Sequence, residues 1–132
     1  MKYLLDTHVV VRWYLDSPKL AKPHRRILRD TEKRKLRVGV SAISLWEIAK
    51  LVQTGRLSLT RSLDESLASI ETSPFVDVLP LTATIAVESV ALGADAPRDP
   101  ADQLIIATAR RHSLVLLTDD GLIADSDLVA TA

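Results

Sequence analysis

The chain has 132 residues, 47% of them hydrophobic and 26% charged, and its lysines and arginines balance its acids. These numbers predict one globular domain over residues 1–132 and exclude a disordered chain. Cysteine is absent, which excludes disulfides and thiolate metal sites and agrees with the cytoplasmic location that we expect. No segment is typical of a signal peptide or a membrane span.

Strands and helices are predicted to alternate from the start of the chain. The apolar run KYLLD predicts a buried strand at 2–6. A helix at 7–15 follows, with Thr7 as a candidate N-cap. A basic amphipathic helix is predicted at 20–35 and a second strand at 36–40.

The same alternation continues to the end of the chain. A helix is predicted at 41–55, with Gly55 at its C-cap. The remaining predicted elements are a helix at 63–71, a strand at 75–80, a helix at 82–92, a helix at 98–111, a strand at 113–120 and a short last strand at 127–132. This order predicts a three-layer α/β/α sandwich with a mainly parallel central sheet.

Charge is distributed unevenly along the chain. Residues 19–37 carry nine lysines and arginines against two acids, and residues 95–127 carry seven aspartates against three arginines. One interpretation is a solvated basic helix with acidic loops. The other is a basic flank for a polyanion beside an acidic pocket for cations.

Several acids fall where the predicted elements meet one edge of the sheet. Asp6 ends the first predicted strand, and Asp119 and Asp120 end the last long one. Parallel strands deliver their carboxyl ends to the same edge, where ligands bind. Asp99 and Asp102 begin the helix that feeds the last long strand, and such a crossover helix begins at that edge. We therefore expect these acids to converge.

Helix initiation is an alternative explanation for some of these acids. Asp99 followed by Pro100 is a favourable N-cap, so Asp99 remains open between capping and ligation. Asp102 shares a helix face with Ile105 and Ile106, where an unpaired acid is costly. Asp102 is therefore a candidate functional residue.

Glu47 also has two interpretations. With Ser44 as the N-cap, Glu47 would complete a capping box. With Ser41 as the N-cap it lies too far into the helix, and its four-apart neighbours Ile43 and Leu51 are apolar. In that case Glu47 is a candidate site residue.

Convergence of Asp6, Glu47, Asp102 and Asp120 would require neutralisation. Two unit charges ~4 Å apart repel by about 4 kcal/mol at an effective dielectric constant near 20. Protons or cations must offset this repulsion. All-oxygen ligation selects hard cations, Mg²⁺ or Mn²⁺, and such ions promote phosphodiester hydrolysis.

Four segments, LLDTHV, SLWEIAKLVQTGRL, RDPADQLIIATA and LLTDD, occur in this order. Together they resemble the PIN domain, and within it the VapC-type toxins of bacterial type II toxin–antitoxin systems. The resemblance implies an α/β/α sandwich and a Mg²⁺- or Mn²⁺-dependent endoribonuclease. It assigns the family's acids to Asp6, Glu47, Asp102 and Asp120, with Asp99 as a fifth metal contributor. The position of the fourth acid stays open between Asp120 and its neighbour Asp119.

The chain departs from the family pattern at two positions. Relatives often carry histidine before the Arg-Asp-Pro segment and an aromatic residue after it, where this chain has Pro97 and Ala101. The departures leave the acids untouched but affect local packing and substrate contacts.

The resemblance also implies two partners, an RNA substrate and a small VapB-like antitoxin. It implies a homodimer, which forms a heterotetramer or larger assembly with the antitoxin. It implies no membrane partner. Trp13 and Tyr14 are either core residues or part of such a contact surface. In the resulting hypothesis the acids hold one or two metal ions, and Thr7 and Thr118 orient the ligands. Arg25, Arg29 and Arg98 would bind the RNA backbone.

Other functions remain open. A PIN-domain nuclease that processes RNA without an antitoxin has the same motifs. A non-catalytic binding module of the same fold would not need all four acids. A phosphoacceptor of the receiver type needs an early acid pair and a late lysine, and the chain has neither.

Overall fold

The computed structural model describes residues 1–132. Strands and helices alternate along the chain as the sequence predicts. Their bounds are β1 (Tyr3–Leu5), α1 (Thr7–Tyr14), α2 (Lys22–Lys33), β2 (Val38–Ser41), α3 (Ala42–Gln53), α4 (Leu63–Thr72), β3 (Val76–Leu79), α5 (Ala83–Val90), α6 (Pro100–Arg111), β4 (Val115–Leu117) and α7 (Gly121–Asp125).

The four strands form one sheet in the order β3-β2-β1-β4, and every pairing is parallel. Leu4 in β1 lies opposite Gly39 in β2 and Leu116 in β4. This register brings the carboxyl ends of β1 and β4 side by side, so the residues that follow the two strands become neighbours.

A separate hydrophobic cluster covers each face of the sheet because side chains alternate along a strand. Leu5 and Leu117 belong to the cluster built with α1, α2 and α4. Leu4 and Leu116 belong to the cluster built with α6 and α7, and α5 packs against α6. The predicted α/β/α sandwich is confirmed, with a sheet that is parallel throughout. No helix is long and apolar enough to cross a bilayer.

Two predicted helix termini are wrong. The N-cap of α1 is Asp6, whose Oδ1 accepts a hydrogen bond from the Thr7 amide at 2.8 Å, so Thr7 begins the helix instead of capping it. The C-cap of α3 is Thr54. Gly55 follows it with a φ of +75°, the left-handed conformation that glycine tolerates best after a helix.

The last twenty residues differ most from the prediction. The strand expected at 113–120 is shortened to Val115–Leu117, because Thr118 and Asp120 initiate α7, which was not predicted. The strand expected at 127–132 is reduced to one parallel bridge between Leu116 and Thr131.

Candidate active site

Five acids from separate segments meet at the carboxyl edge of the sheet. They follow β1, lie in α3, begin α6 and follow β4. The charges of other members raise the pKa of three of them, Asp6, Glu47 and Asp102. Asp99 and Asp120 supply part of that charge. We call this group the acidic cluster: Asp6, Glu47, Asp99, Asp102 and Asp120.

Asp6 is the most buried member of the acidic cluster, with 6% of its surface exposed. Its Oδ2 accepts a hydrogen bond from the Thr118 hydroxyl at 2.7 Å, and its Oδ1 caps α1. The pKa of the Asp6 carboxyl is raised overall, because burial raises it by more than these two hydrogen bonds lower it.

Glu47 is held through Thr7. Ser41 is the N-cap of α3 and accepts from the Ile43 amide at 3.3 Å, so Glu47 lies beyond the reach of a capping box. The Thr7 hydroxyl donates to Glu47 Oε1 at 2.5 Å and contacts the Ser44 hydroxyl at 2.9 Å. Burial raises the pKa of Glu47, and the hydrogen bond from Thr7 lowers it.

Asp102 has the most perturbed ionisation in the cluster. Burial and then the charges of Asp99, Asp6, Glu47 and Asp120 raise its pKa to about 7. Its own helix begins at Asp99, whose Oδ1 accepts from the Ala101 amide at 2.9 Å. Asp99 therefore caps α6 and also contributes negative charge to the cluster.

The two neighbouring aspartates after β4 have different environments. Asp120 caps α7 by accepting from the Leu122 amide at 2.9 Å, and its charge raises the pKa of both Asp6 and Asp102. Asp119 instead pairs with Arg12, Nη1 to Oδ2, at 2.5 Å.

No member of the acidic cluster forms an ion pair with a lysine, arginine or histidine. The exposed His8 side chain lies close enough to lower the pKa of Asp6 and Glu47. Excess negative charge on oxygen donors fits a hard divalent cation. No three acidic or histidine side chains lie close enough together to enclose such an ion.

The sequence patterns suggested Ser44 only as a helix cap, not as a site residue, and did not indicate His8, Arg12 or His24. The first two carry a usable signal, since Ser44 lies three residues before Glu47 on one helix face and His8 follows Thr7. Arg12 and His24 contact or approach Asp119 from more than ninety residues away along the chain and carry no local signal.

The three arginines expected to contact RNA differ in their surroundings. Arg29 and Arg98 are exposed and form no ion pair. Arg25 donates to Asp16 Oδ1 at 3.1 Å and to the Ser17 carbonyl at 2.8 Å, so it also anchors the loop after α1. A cleft of about 290 Å³ is lined only by basic residues: Lys22, Arg25, Arg26 and Arg29.

Trp13 and Tyr14 are partly buried residues of the core that also line a cavity. Both pack against the hydrophobic cluster on the α1 face of the sheet. Both also line a mainly apolar cavity of about 250 Å³ with Val10, Ile70 and Val76.

Known proteins are similar to this chain in sequence and in fold. The PIN-domain family profile matches residues 3–127. The chain is 32% identical over 117 residues to Ribonuclease VapC22 of Mycobacterium tuberculosis (strain ATCC 25618 / H37Rv), covering 89% of this chain and 85% of that protein.

Two solved structures resemble the chain over nearly its whole length. VapBC2 from Rickettsia felis, bound to a DNA fragment from their promoter, superposes with a TM-score of 0.73 at 18% identity over 100% of this chain and 98% of that one. FitAcB from Neisseria gonorrhoeae superposes with a TM-score of 0.68 at 26% identity over 98% and 95%. The chain therefore belongs to the PIN-domain family and resembles, within it, the VapC-type ribonucleases.

Proposed function

We propose that this protein is a Mg²⁺- or Mn²⁺-dependent endoribonuclease and the toxin of a toxin–antitoxin pair. The observation that carries the proposal is the acidic cluster, in which burial and the charges of other members raise the pKa of Asp6, Glu47 and Asp102, and no member forms an ion pair. An apolar or salt-bridged alternative would avoid this repulsion, so a site that keeps it is organised for a cation. The relative named Ribonuclease VapC22 supports the same chemistry.

The side chains of the cluster would have different tasks. Asp6, Glu47, Asp102 and Asp120 would hold the cation, with Asp99 as a further contributor. Thr7 and Thr118 would orient Glu47 and Asp6 through the hydroxyl hydrogen bonds that they already donate. The Asp102 carboxyl, whose pKa is raised to about 7, would have to release its proton for a cation to bind it.

A bound divalent cation would supply a water of lowered pKa and would stabilise negative charge on the phosphate oxygens. Arg29 and Arg98, exposed and free of carboxylate partners, would bind the RNA backbone, and Arg25 would join them at the rim of the basic cleft.

The test combines RNA cleavage with metal binding in purified protein. We expect the wild type to bind Mn²⁺ in calorimetric titration and to cleave single-stranded RNA only with Mg²⁺ or Mn²⁺. Asp6→Asn keeps a side chain that can cap α1 but removes its charge, and we expect it to lose cleavage by at least about a hundredfold.

Asp125→Asn is the matched control, because Asp125 is exposed in α7 and lies outside the acidic cluster; we expect it to retain wild-type cleavage. Undiminished cleavage by Asp6→Asn, or cleavage that persists in EDTA, would contradict the proposal.

The proposed partner is a small antitoxin. Support comes from FitAcB at 26% identity and from a fold shared with VapBC2, and the apolar cavity beside Trp13 and Tyr14 offers a contact surface. Expression in a bacterial host should arrest growth, and co-expression of the small neighbouring gene should relieve the arrest. Growth without arrest, despite cleavage by the purified protein, would favour a nuclease that processes RNA without an antitoxin.

A homodimer is the proposed oligomeric state. Light scattering coupled to size-exclusion chromatography should return twice the mass of the chain, 14.5 kDa. A monomer at micromolar concentration would contradict this part of the proposal.

A further inference from the structure

Asp119 is paired with Arg12, and the buried imidazole of His24 lies beside it. Arg12 in α1 donates to its Oδ2 at 2.5 Å, and His24 Nδ1 in α2 lies 3.8 Å from its Oδ1. His24 is 3% exposed, and its Nε2 lies 2.7 Å from the backbone oxygen of Ala132. Because that oxygen only accepts hydrogen bonds, Nε2 carries a proton. We call Arg12, His24 and Asp119 the Asp119 clamp.

His24 Nδ1 is a buried polar atom without a hydrogen-bond partner. Its distance from Asp119 exceeds hydrogen-bond range. Leaving such an atom unsatisfied costs about 1–3 kcal/mol, so its placement calls for a reason beyond packing. The hydrogen bond from Nε2 to the Ala132 oxygen supplies that reason, because it fixes the ring and leaves Nδ1 as an acceptor that cannot bond to the Asp119 carboxylate.

The clamp reaches the acidic cluster through the backbone as well. The Ala132 oxygen that accepts the hydrogen bond from His24 Nε2 also accepts one from the Thr118 amide, at 3.4 Å. The Thr118 hydroxyl donates to Asp6 and accepts from the Asp120 amide at 3.0 Å. A shift of the turn from Thr118 to Asp120 would therefore move two members of the cluster together.

Asp119 needs restraint because it is chemically equivalent to its neighbour. Its side chain is 43% exposed, and without Arg12 it would be a second carboxylate able to rotate towards the cation. Arg12 both offsets its charge and fixes its direction.

We propose that Arg12 and His24 are positioning residues. Arg12 holds Asp119 away from the acidic cluster, and His24 sets the Thr118–Asp120 turn through the Ala132 oxygen, so that Asp120 alone serves as the fourth acid. This inference rests on the proposed function, because it assigns roles around the same cation site.

Mn²⁺ titration by calorimetry tests the clamp without relying on activity. Arg12→Gln combined with Asp119→Asn removes the ion pair without changing the net charge and leaves no carboxylate at position 119, so a change in affinity reports the position of the Thr118–Asp120 turn. We expect its Mn²⁺ dissociation constant to rise about tenfold or more. In RNA cleavage kcat should fall more than KM changes.

Two substitutions of His24 refine the test. His24→Leu removes both nitrogens, and we expect about the same loss of Mn²⁺ affinity. His24→Gln keeps an amide that can donate to the Ala132 oxygen, and we expect it to recover part of that affinity. Thermal unfolding of each variant separates loss of fold from loss of affinity.

The matched control is Arg110→Gln combined with Glu88→Gln. This pair has a separation of 2.8 Å and side chains that are 39% and 29% exposed, close to the 29% and 43% of Arg12 and Asp119. Arg110 lies eight residues after Asp102 in α6, about 12 Å along the helix axis. We expect wild-type Mn²⁺ affinity.

The outcomes separate the two proposals. If the wild type binds Mn²⁺ and the folded Arg12/Asp119 and His24 variants bind it equally well, the clamp is refuted and the proposed function stands. If the wild type neither binds Mn²⁺ nor cleaves RNA, the proposed function fails first. If His24→Leu does not fold, the Arg12/Asp119 variant decides alone.

Discussion

At the residue scale, Asp102 would couple the release of a proton to binding of the proposed cation. Its pKa of about 7 results from burial and from the negative charge of four neighbours, Asp99 first. A cation binds the ionised carboxylate, so cation and proton compete for the same group. Ionisation without a cation leaves a repulsive charge in a half-buried position.

We predict that Mn²⁺ affinity increases with pH. Displacing one proton gives up to about a tenfold gain per pH unit below the pKa and a plateau above it, so affinity should rise from pH 5 to 7 and flatten near pH 8. Calorimetry in several buffers measures both the affinity and the proton released. Affinity that is flat over this range would contradict the raised pKa of Asp102.

Stability of the metal-free protein should depend on pH in the opposite direction. The folded pKa of Asp102 is about 7 against 3.8 for the free group, so the folded state binds this proton more tightly. Its contribution to stability is complete below pH 3.8 and is lost as pH rises to about 7.

Asp102→Asn should therefore stabilise the protein in EDTA at pH 8 by about 1–2 kcal/mol, after allowing for solvent screening of a half-buried group. At pH 3.5 the effect should be near zero. Urea unfolding at the two pH values measures the difference, and an equal effect at both would show that ionisation is not its cause.

At the element scale, helix starts and site residues coincide. Asp6, Asp99 and Asp120 each cap a helix with a backbone hydrogen bond. A helix N-terminus favours negative charge, so an aspartate is a favourable residue at each of these positions. The same geometry explains why an aspartate can serve both of the roles between which sequence patterns had to choose.

Thr7 shows how one helix orients a residue of another. Thr7→Val removes the hydroxyl that donates to Glu47 and contacts Ser44, and it leaves a buried hydroxyl unsatisfied. We predict a loss of about 1–3 kcal/mol in the free energy of unfolding and at least about a tenfold loss of kcat.

Thr7→Ser should restore most of both quantities. Thr72→Val is the control, because its hydroxyl bonds only to the Ala68 carbonyl on the exposed surface of α4. Full activity of Thr7→Val would contradict the role given to Thr7.

At the scale of the whole molecule, the net charge is zero, but basic and acidic residues are concentrated in different segments. Attraction of RNA must then come from the local basic surface near α2 and from Arg98, not from the overall charge. The proposed binding is therefore sensitive to salt despite the neutral chain.

Arg29→Gln and Arg98→Gln should each weaken RNA binding and reduce its salt dependence. For single strands each lost phosphate contact lowers the slope of log K against log salt by about 0.7 in magnitude. Binding is measured in the Asp6→Asn background so that the RNA stays intact. Arg61→Gln is the control, since Arg61 is paired with Glu65 at 2.9 Å in α4; an equal loss with it would indicate non-specific charge effects.

Much of the fold was predictable because hydrophobic periodicity is local. All four strands and six of the seven helices follow from it. The seventh, α7, was missed because five residues are too few to display a helical period. The choice between Ser41 and Ser44 as the start of α3 was not local either: β2 pairs with β3 as far as Ser41, opposite Leu79, and this pairing sets where the helix begins.

By itself the sequence determined the alternation of strands and helices and the set of acids that a parallel sheet carries to one edge, because both follow from residue type and spacing. Only the tertiary structure distinguishes the environments of Asp119 and Asp120. Arg12 meets Asp119 across 107 residues of chain, and Asp120 starts α7. A contact between distant residues exists only after the sheet has formed, so no neighbouring pattern along the chain could specify it.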